Sequence, residues 1–302
     1  MRIKGLVAAP FTPFTAQGKI HLAMIEKMAE SLRVNKVHGA FVCGTTGEGV
    51  SMTVNERKRV AEQWQSCADK KLKIIVHVGH TSVGDSRALA AHAQKIGAAA
   101  IGCMAPYCFK PSKVEDLVAF CAEIAKAAPD TPFYYYHIPC VTGVKIPAAE
   151  FLKVAADCIP NLAGVKFTDE NLMDFAECIN FEGGRFDALF GRDEMLLAGL
   201  AMGASGAIGS TYNYLAPVFH KIMHAFNAGD LKAARLAQTQ ANAVIKVLIR
   251  YGGMPPAGKA FMKLIGLECG GCREPLRELS VIQFEELRQA ATTAGFQQIA
   301  CG

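Results

Sequence analysis

Short apolar runs alternate with longer stretches of helical periodicity along most of the chain, and that alternation is the pattern of parallel βα units. Strands are predicted at 5–9, 39–43, 73–78, 99–105, 132–137, 164–167, 187–191 and 206–209, eight runs that are apolar on both faces, as buried strands are. Helices are predicted at 21–35, 54–68, 85–96, 114–127, 148–159, 172–179, 194–202 and 216–227. Thr53 followed three residues later by Glu56 is a capping-box signature, and Ile96-Gly97 and Met202-Gly203 are helix stops. Beyond residue 228 the strands cease, and 230–250, 258–265 and 282–294 all read as helices. The expected fold is therefore α/β: a (β/α)8 TIM barrel over 1–227 that carries the active site, with a C-terminal helical extension over 228–302 packed on it within one structural domain. An open doubly wound sheet would carry G-x-G-x-x-G after its first strand, and here that turn is Pro10-Phe11-Thr12-Pro13.

Composition narrows the picture. With 302 residues, 51% hydrophobic and 20% charged, the chain has the size and make-up for one large barrel. Its net charge of +5 is scattered, and no basic run with interleaved aromatics appears, which argues against nucleic acid as a partner and suits a small anionic substrate. The uncharged run 96–109 is shorter than the roughly 20 residues a membrane helix needs and contains Pro106, and no membrane segment is expected. The N-terminal apolar stretch is cut by Pro10 and Pro13 and reads as a first strand rather than a signal peptide. Eleven cysteines is an odd count, and Cys43, Cys67, Cys103, Cys121, Cys158 and Cys178 lie in apolar segments where reduced thiols pack as small hydrophobes. That pattern points to the reducing cytoplasm. Cys269 and Cys272 form a C-x-x-C with no second pair at zinc spacing, which reads as a loop coincidence rather than a metal site.

On such a barrel chemistry belongs at the C-terminal ends of the strands. The second strand ends in Gly44-Thr45-Thr46-Gly47-Glu48, which is either a tight turn or a cradle of hydroxyl and N–H groups for a carboxylate; it lacks the Gly-Lys-Ser/Thr that holds nucleotide phosphates. The sixth carries Lys166 at the end of a run expected to be buried. Such a lysine either reaches out to solvent or serves as a nucleophile, because burial penalises an ammonium and favours the free amine that attacks a ketone. The fifth strand reads Tyr134-Tyr135-Tyr136-His137, so alternation sends Tyr134 and Tyr136 to one face and Tyr135 and His137 to the other. One tyrosine then falls beside the lysine as a proton relay, while His137 reads as a satisfied core histidine. Gly191-Arg192-Asp193-Glu194 sets two carboxylates at a helix start, for dipole capping or for binding a polyol, and Gly209-Ser210-Thr211-Tyr212-Asn213 adds hydroxyls on the same face.

These segments resemble, in order and over nearly the whole chain, the dihydrodipicolinate-synthase-like Schiff-base aldolases, in their N-acetylneuraminate lyase branch: GTTGEG from Gly44, YYYHIP from Tyr134, TGVKIP from Thr142, GVKFT from Gly164, GRDE from Gly191 and GSTYNY from Gly209. The resemblance implies Lys166 and Tyr136 as the catalytic pair, Thr45 and Thr46 under a pyruvoyl carboxylate, and Thr168, Gly191, Asp193, Glu194 and Ser210 around a sugar. It implies retro-aldol cleavage of N-acetylneuraminate to pyruvate and N-acetylmannosamine through a covalent Schiff base, with no metal or organic cofactor, in a homotetramer. Dihydrodipicolinate synthases and other pyruvate-dependent sugar-acid aldolases are the nearest alternatives. The former typically have an arginine where Val141 stands and a second tyrosine where Cys108 stands. A non-catalytic ligand-binding relative would have no need of Lys166 or Tyr136.

Overall fold

The computed structural model describes residues 2–302. In chain order its elements are β1 (Gly5–Ala8), α1 (Leu22–Val34), β2 (Gly39–Val42), α2 (Val54–Ser66), β3 (Lys73–His77), α3 (Val83–Lys95), β4 (Ala100–Met104), α4 (Val114–Ala125), β5 (Phe133–His137), α5 (Pro139–Thr142), α6 (Ala148–Cys158), β6 (Leu162–Phe167), α7 (Leu172–Asn180), β7 (Asp187–Phe190), α8 (Leu196–Ala201), β8 (Gly206–Gly209) and α9 (Tyr212–Asn227). The extension follows as α10 (Leu231–Arg250), α11 (Pro256–Leu264), α12 (Val281–Thr293) and α13 (Phe296–Ile299). Each strand pairs with the next in parallel, and β8 closes on β1 with Gly5 opposite Gly206 and Ala8 opposite Gly209.

Both faces of the strands are buried, which is why their sequences show continuous apolar runs. Val7, Phe41, Ile75, Tyr134, Tyr136, Leu189 and Ile208 fill the interior, while Leu6, Val42, Val76, Tyr135, Val165 and Phe190 pack outward into the layer shared with the helices. The N-terminal end of the barrel is closed by Asp187, whose Oδ2 accepts the Ile3 amide at 2.9 Å and the Tyr134 hydroxyl at 3.0 Å. Burial raises the Asp187 carboxyl above its ordinary pKa, and these two hydrogen bonds work against that rise.

The Thr53–Glu56 capping box forms as expected, and Ser280 and Gln283 make a second one on α12. Differences from the predicted elements have local causes. Helix α9 starts at Tyr212 rather than 216, because Leu215 leaves helical geometry (φ −126°) and so accommodates Pro217 one turn in. Residues 193–195 form a 3₁₀ turn, delaying α8 to Leu196, and α11 begins at Pro256, where a proline at the first helical position loses nothing. Helices α5 and α13 are single turns, too short to leave a periodic signature.

All eleven cysteines are free. Two depart from the expected packing: Cys158 is exposed and Cys67 half-buried, since each sits where a helix ends and its apolar stripe no longer faces the barrel. Among the described residues no helix is long and apolar enough to cross a membrane, and no three metal-ligating side chains are grouped.

Candidate active site

Neighbouring strands β5 and β6 set Tyr136 level with Lys166. Alternation turns both side chains inward, so the Lys166 ammonium, 4% exposed, lies 3.7 Å from the centre of the Tyr136 ring and 4.3 Å from that of Phe41. The other two tyrosines of the run are committed elsewhere. Tyr134 also points inward, but one layer deeper, where its hydroxyl is held by Asp187. Tyr135 faces outward and stacks on Phe151 with ring centres 4.2 Å apart.

His137 lies on the outer face against Phe167, as a core histidine would, with its ring centre 5.2 Å away. Its polar atoms are less well served than expected: Nε2 is 3.6 Å from Asp169, and Nδ1 is buried without a partner. Burial holds its pKa below the ordinary histidine value even though Asp174 and Asp169 pull the other way.

The loop after β2 is a tight turn whose shape also presents hydroxyls. Cys43 and Glu48 both take left-handed backbone angles (φ 58° and 54°), and the amides of Glu48 and Gly49 return to the carbonyls of Thr45 and Gly44, each at 3.1 Å. Thr12, from the turn after β1, donates its hydroxyl to the Gly47 carbonyl at 2.6 Å. Thr45 is left exposed and Thr46 is mostly covered, at 9%.

On the opposite side, Gly191 donates its amide to the Phe167 carbonyl at 2.7 Å. A Cβ at Gly191 would overlap the Thr168 hydroxyl, so only glycine permits β7 to end this close to β6. Thr168 Oγ1 is buried with no partner. Asp193 does not cap its own helix; its Oδ2 accepts the Thr211 amide at 2.9 Å and the Thr211 hydroxyl at 2.7 Å, across from the end of β8, while Oδ1 has no partner. Burial pushes the Asp193 carboxyl up to about 6, with neighbouring Glu194 adding to the rise and the Thr211 bonds and Lys166 opposing it. Gly209 leaves room for this carboxylate, which a Cβ there would displace. Arg192 pairs with Glu170 at 2.6 Å and with Glu194 at 3.3 Å, forming a charged edge to the opening.

Thr45, Thr46, Tyr136, Lys166, Thr168, Gly191, Asp193, Glu194 and Ser210 all line one cavity of about 310 Å³ at the C-terminal end of the barrel. Sequence alone did not point to the rest of its wall: Ala9, Ile138, Cys140 and Ile208 from the barrel, and Ile245, Leu248, Ile249, Gly253 and Met254 from α10 and the turn after it. The extension thus supplies an apolar side facing the hydroxyls and carboxylates. The helical stripe of α10 signals that one face is buried but not against what. Val141 is exposed on α5, and Cys108 is exposed, so neither position supplies the cation or phenol of a dihydrodipicolinate synthase.

A buried amine beside a phenol, with hydroxyls on one side and carboxylates on the other, suits covalent capture of a keto acid that carries a polyol tail. The profile of the Dihydrodipicolinate synthetase family matches residues 2–294. The chain is 46% identical to N-acetylneuraminate lyase A of Xenopus laevis over 91% of each chain, and 43% identical to N-acetylneuraminate lyase of Mus musculus over 92% of this chain and 88% of that one. The solved structure of Proteus mirabilis N-acetylneuraminate lyase superposes with a TM-score of 0.95 at 42% identity, covering 98% of this chain and all of the other.

Proposed function

The chain belongs to the dihydrodipicolinate synthetase family, and from that premise we infer that it is a carbon–carbon lyase, an aldolase that cleaves N-acetylneuraminate to pyruvate and N-acetylmannosamine. The observation that carries the catalytic assignment is the register of β5 on β6, which puts a phenol against a buried amine inside the barrel.

The free amine of Lys166 attacks the C2 ketone of the ring-opened sugar acid, and loss of water leaves a protonated imine. Thr45 and Thr46 hold the adjacent carboxylate, with N–H and hydroxyl donors directed at it from the turn. Tyr136, beside the nitrogen, takes the C4 hydroxyl proton as the C3–C4 bond breaks, and the bonding electrons pass into the imine to give an enamine. N-Acetylmannosamine leaves as the aldehyde. Protonation of the enamine at C3 and hydrolysis of the imine release pyruvate and restore the amine. The iminium is itself the electron sink, so the reaction calls for no metal or organic cofactor.

The tail of the sugar meets Thr168, Gly191, Asp193, Glu194 and Ser210. Their fitness rests on unspent hydrogen-bonding capacity, since Thr168 Oγ1 and Asp193 Oδ1 have no partner within the protein. Free thiols throughout the chain support a reducing compartment, the cytoplasm, and resemblance to the family supports a homotetramer.

The test is product analysis. Incubation with N-acetylneuraminate is expected to yield pyruvate and N-acetylmannosamine in equal amounts, and Lys166→Ala, folded by circular dichroism, to yield neither. Cleavage by the folded variant would remove the Schiff-base reading, and a wild-type protein inert toward N-acetylneuraminate but active on another 2-keto sugar acid would change the substrate.

A further inference from the structure

The C-terminal extension touches the active-site loops at two separate places, each through a buried polar side chain. The first contact is below the Thr45–Thr46 turn. Lys259 of α11 lies 2.7 Å from Oε1 of Glu48, an ion contact without hydrogen-bond direction, and the two side chains are 4% and 1% exposed. The Lys259 ammonium also donates to the Gly271 carbonyl at 2.6 Å, and the other Glu48 oxygen accepts the Arg273 amide at 2.8 Å. Glu48 is one of the two left-handed residues of this loop, with Cys43, and forms its far corner. A glutamate in that conformation persists only where its surroundings over-determine it, and here the surroundings are Lys259 and the backbone at Arg273.

The second contact is behind the Asp193–Glu194 turn. Gln238 of α10, 8% exposed, donates to the Asp193 carbonyl at 3.2 Å and accepts the Leu197 amide at 3.0 Å. One turn later Asn242 donates to the Glu194 carbonyl at 3.1 Å, and Gln238 also donates to Asn242 Oδ1 at 3.0 Å. None of these atoms is shared with the Lys259–Glu48 contact, which involves a different helix and a different loop.

We propose that the extension sets the two ends of the active site independently: Lys259, through Glu48, positions the turn that holds the keto-acid carboxylate, and Gln238, through the backbone of Asp193, positions the turn that holds the sugar. Both are positioning residues, since neither lines the cavity. A buried ion pair is seldom kept for stability alone, because apolar side chains of similar volume stabilise as well or better. Its value here is a fixed distance between α11 and the corner of the turn. The inference rests on the proposed reaction, whose two substrates in the condensation direction report the two ends separately.

The experiment is steady-state condensation of pyruvate with N-acetylmannosamine by full-length Lys259→Met, Gln238→Leu and wild type. For Lys259→Met the KM for pyruvate is expected to rise by about tenfold and that for N-acetylmannosamine to stay within about twofold, with Gln238→Leu giving the reverse pattern. Removing Lys259 alone leaves an uncompensated buried carboxylate, so a double variant, Glu48→Gln with Lys259→Met, tests the same end with neither charge present and is expected to show the same selective rise. Equal rises in both KM values, losses confined to kcat, or no change in either variant would overturn the proposal. A wild-type protein that condenses nothing and forms no borohydride-trapped pyruvate adduct would instead bring down the lyase reading on which it stands.

Discussion

Asp193 is the residue whose behaviour depends most on where the fold puts it. Its carboxyl is raised by burial to about 6 in the folded chain, from an ordinary value of about 3.9. A raised carboxyl favours folding while it is protonated, so its contribution to stability is full below about pH 4 and is lost as pH rises through about 6. Sugar binding runs the other way if Asp193 receives hydroxyls as a carboxylate: the KM for N-acetylneuraminate is expected to climb as pH falls below about 6, and Asp193→Asn to abolish that inflection. A pH series of KM values for the two proteins checks this, and parallel curves would exclude Asp193 as the titrating group. For Tyr136→Phe, turnover should drop by about 10²-fold or more while borohydride still traps pyruvate, since in the proposed mechanism the phenol moves protons and does not form the imine. Stopped assays and intact mass measure the two separately. Cys140 is exposed at the cavity wall, so iodoacetamide should label it in the native protein and pyruvate with N-acetylmannosamine should slow that labelling. At this scale sequence could say which tyrosines share a face, because alternation is local. It could not separate Tyr134 from Tyr136 without the family resemblance, since what distinguishes them is depth: Asp187, more than fifty positions away, occupies the deeper hydroxyl.

At the scale of elements the strands and helices were legible because parallel barrels bury both faces of every strand and one stripe of every helix. Their mutual anchoring was not. Asp174 in α7 illustrates the difference: it is buried, and its two oxygens accept the first amides of the neighbouring helix α6, from Ala148 at 2.8 Å and Ala149 at 2.9 Å. Nothing in the sequence around Ala148 announces a cap, because the cap comes from another helix. Asp174→Ala leaves two helix-end amides without a partner in a dry place and is expected to cost about 2–4 kcal/mol, read by urea unfolding. A loss below about 0.5 kcal/mol would mean that water serves those amides as well as the carboxylate does. The α5 turn was invisible for a simpler reason, being four residues long.

For the whole molecule the reading as barrel plus helical extension was available from the order of the elements, and the face that carries the chemistry followed from the barrel's parallel strands. What the pattern concealed is how the extension takes part. Ile245, Leu248, Ile249, Gly253 and Met254 form part of the cavity wall, and Gln238 and Lys259 brace its two polar turns, all through contacts with residues between about 40 and more than 200 positions away in the chain. Periodicity reports that a helix has a buried face and is silent on the partner. The C-x-x-C segment is a case in point: the Cys269 carbonyl receives the Phe14 amide at 2.9 Å and the adjoining Arg273 binds Glu48 and Glu56, so the loop fastens α11 to the turns after β1 and β2. The central claim joins all three scales, because a covalent intermediate requires the right side chain, the right strand register and a closed barrel around them. It is tested most directly by reducing the protein with borohydride during turnover of N-acetylneuraminate and mapping the adduct by peptide mass spectrometry. The account predicts a pyruvyl modification on the peptide containing Lys166 and on no other; cleavage without any adduct, or with the adduct on a different lysine, would contradict it.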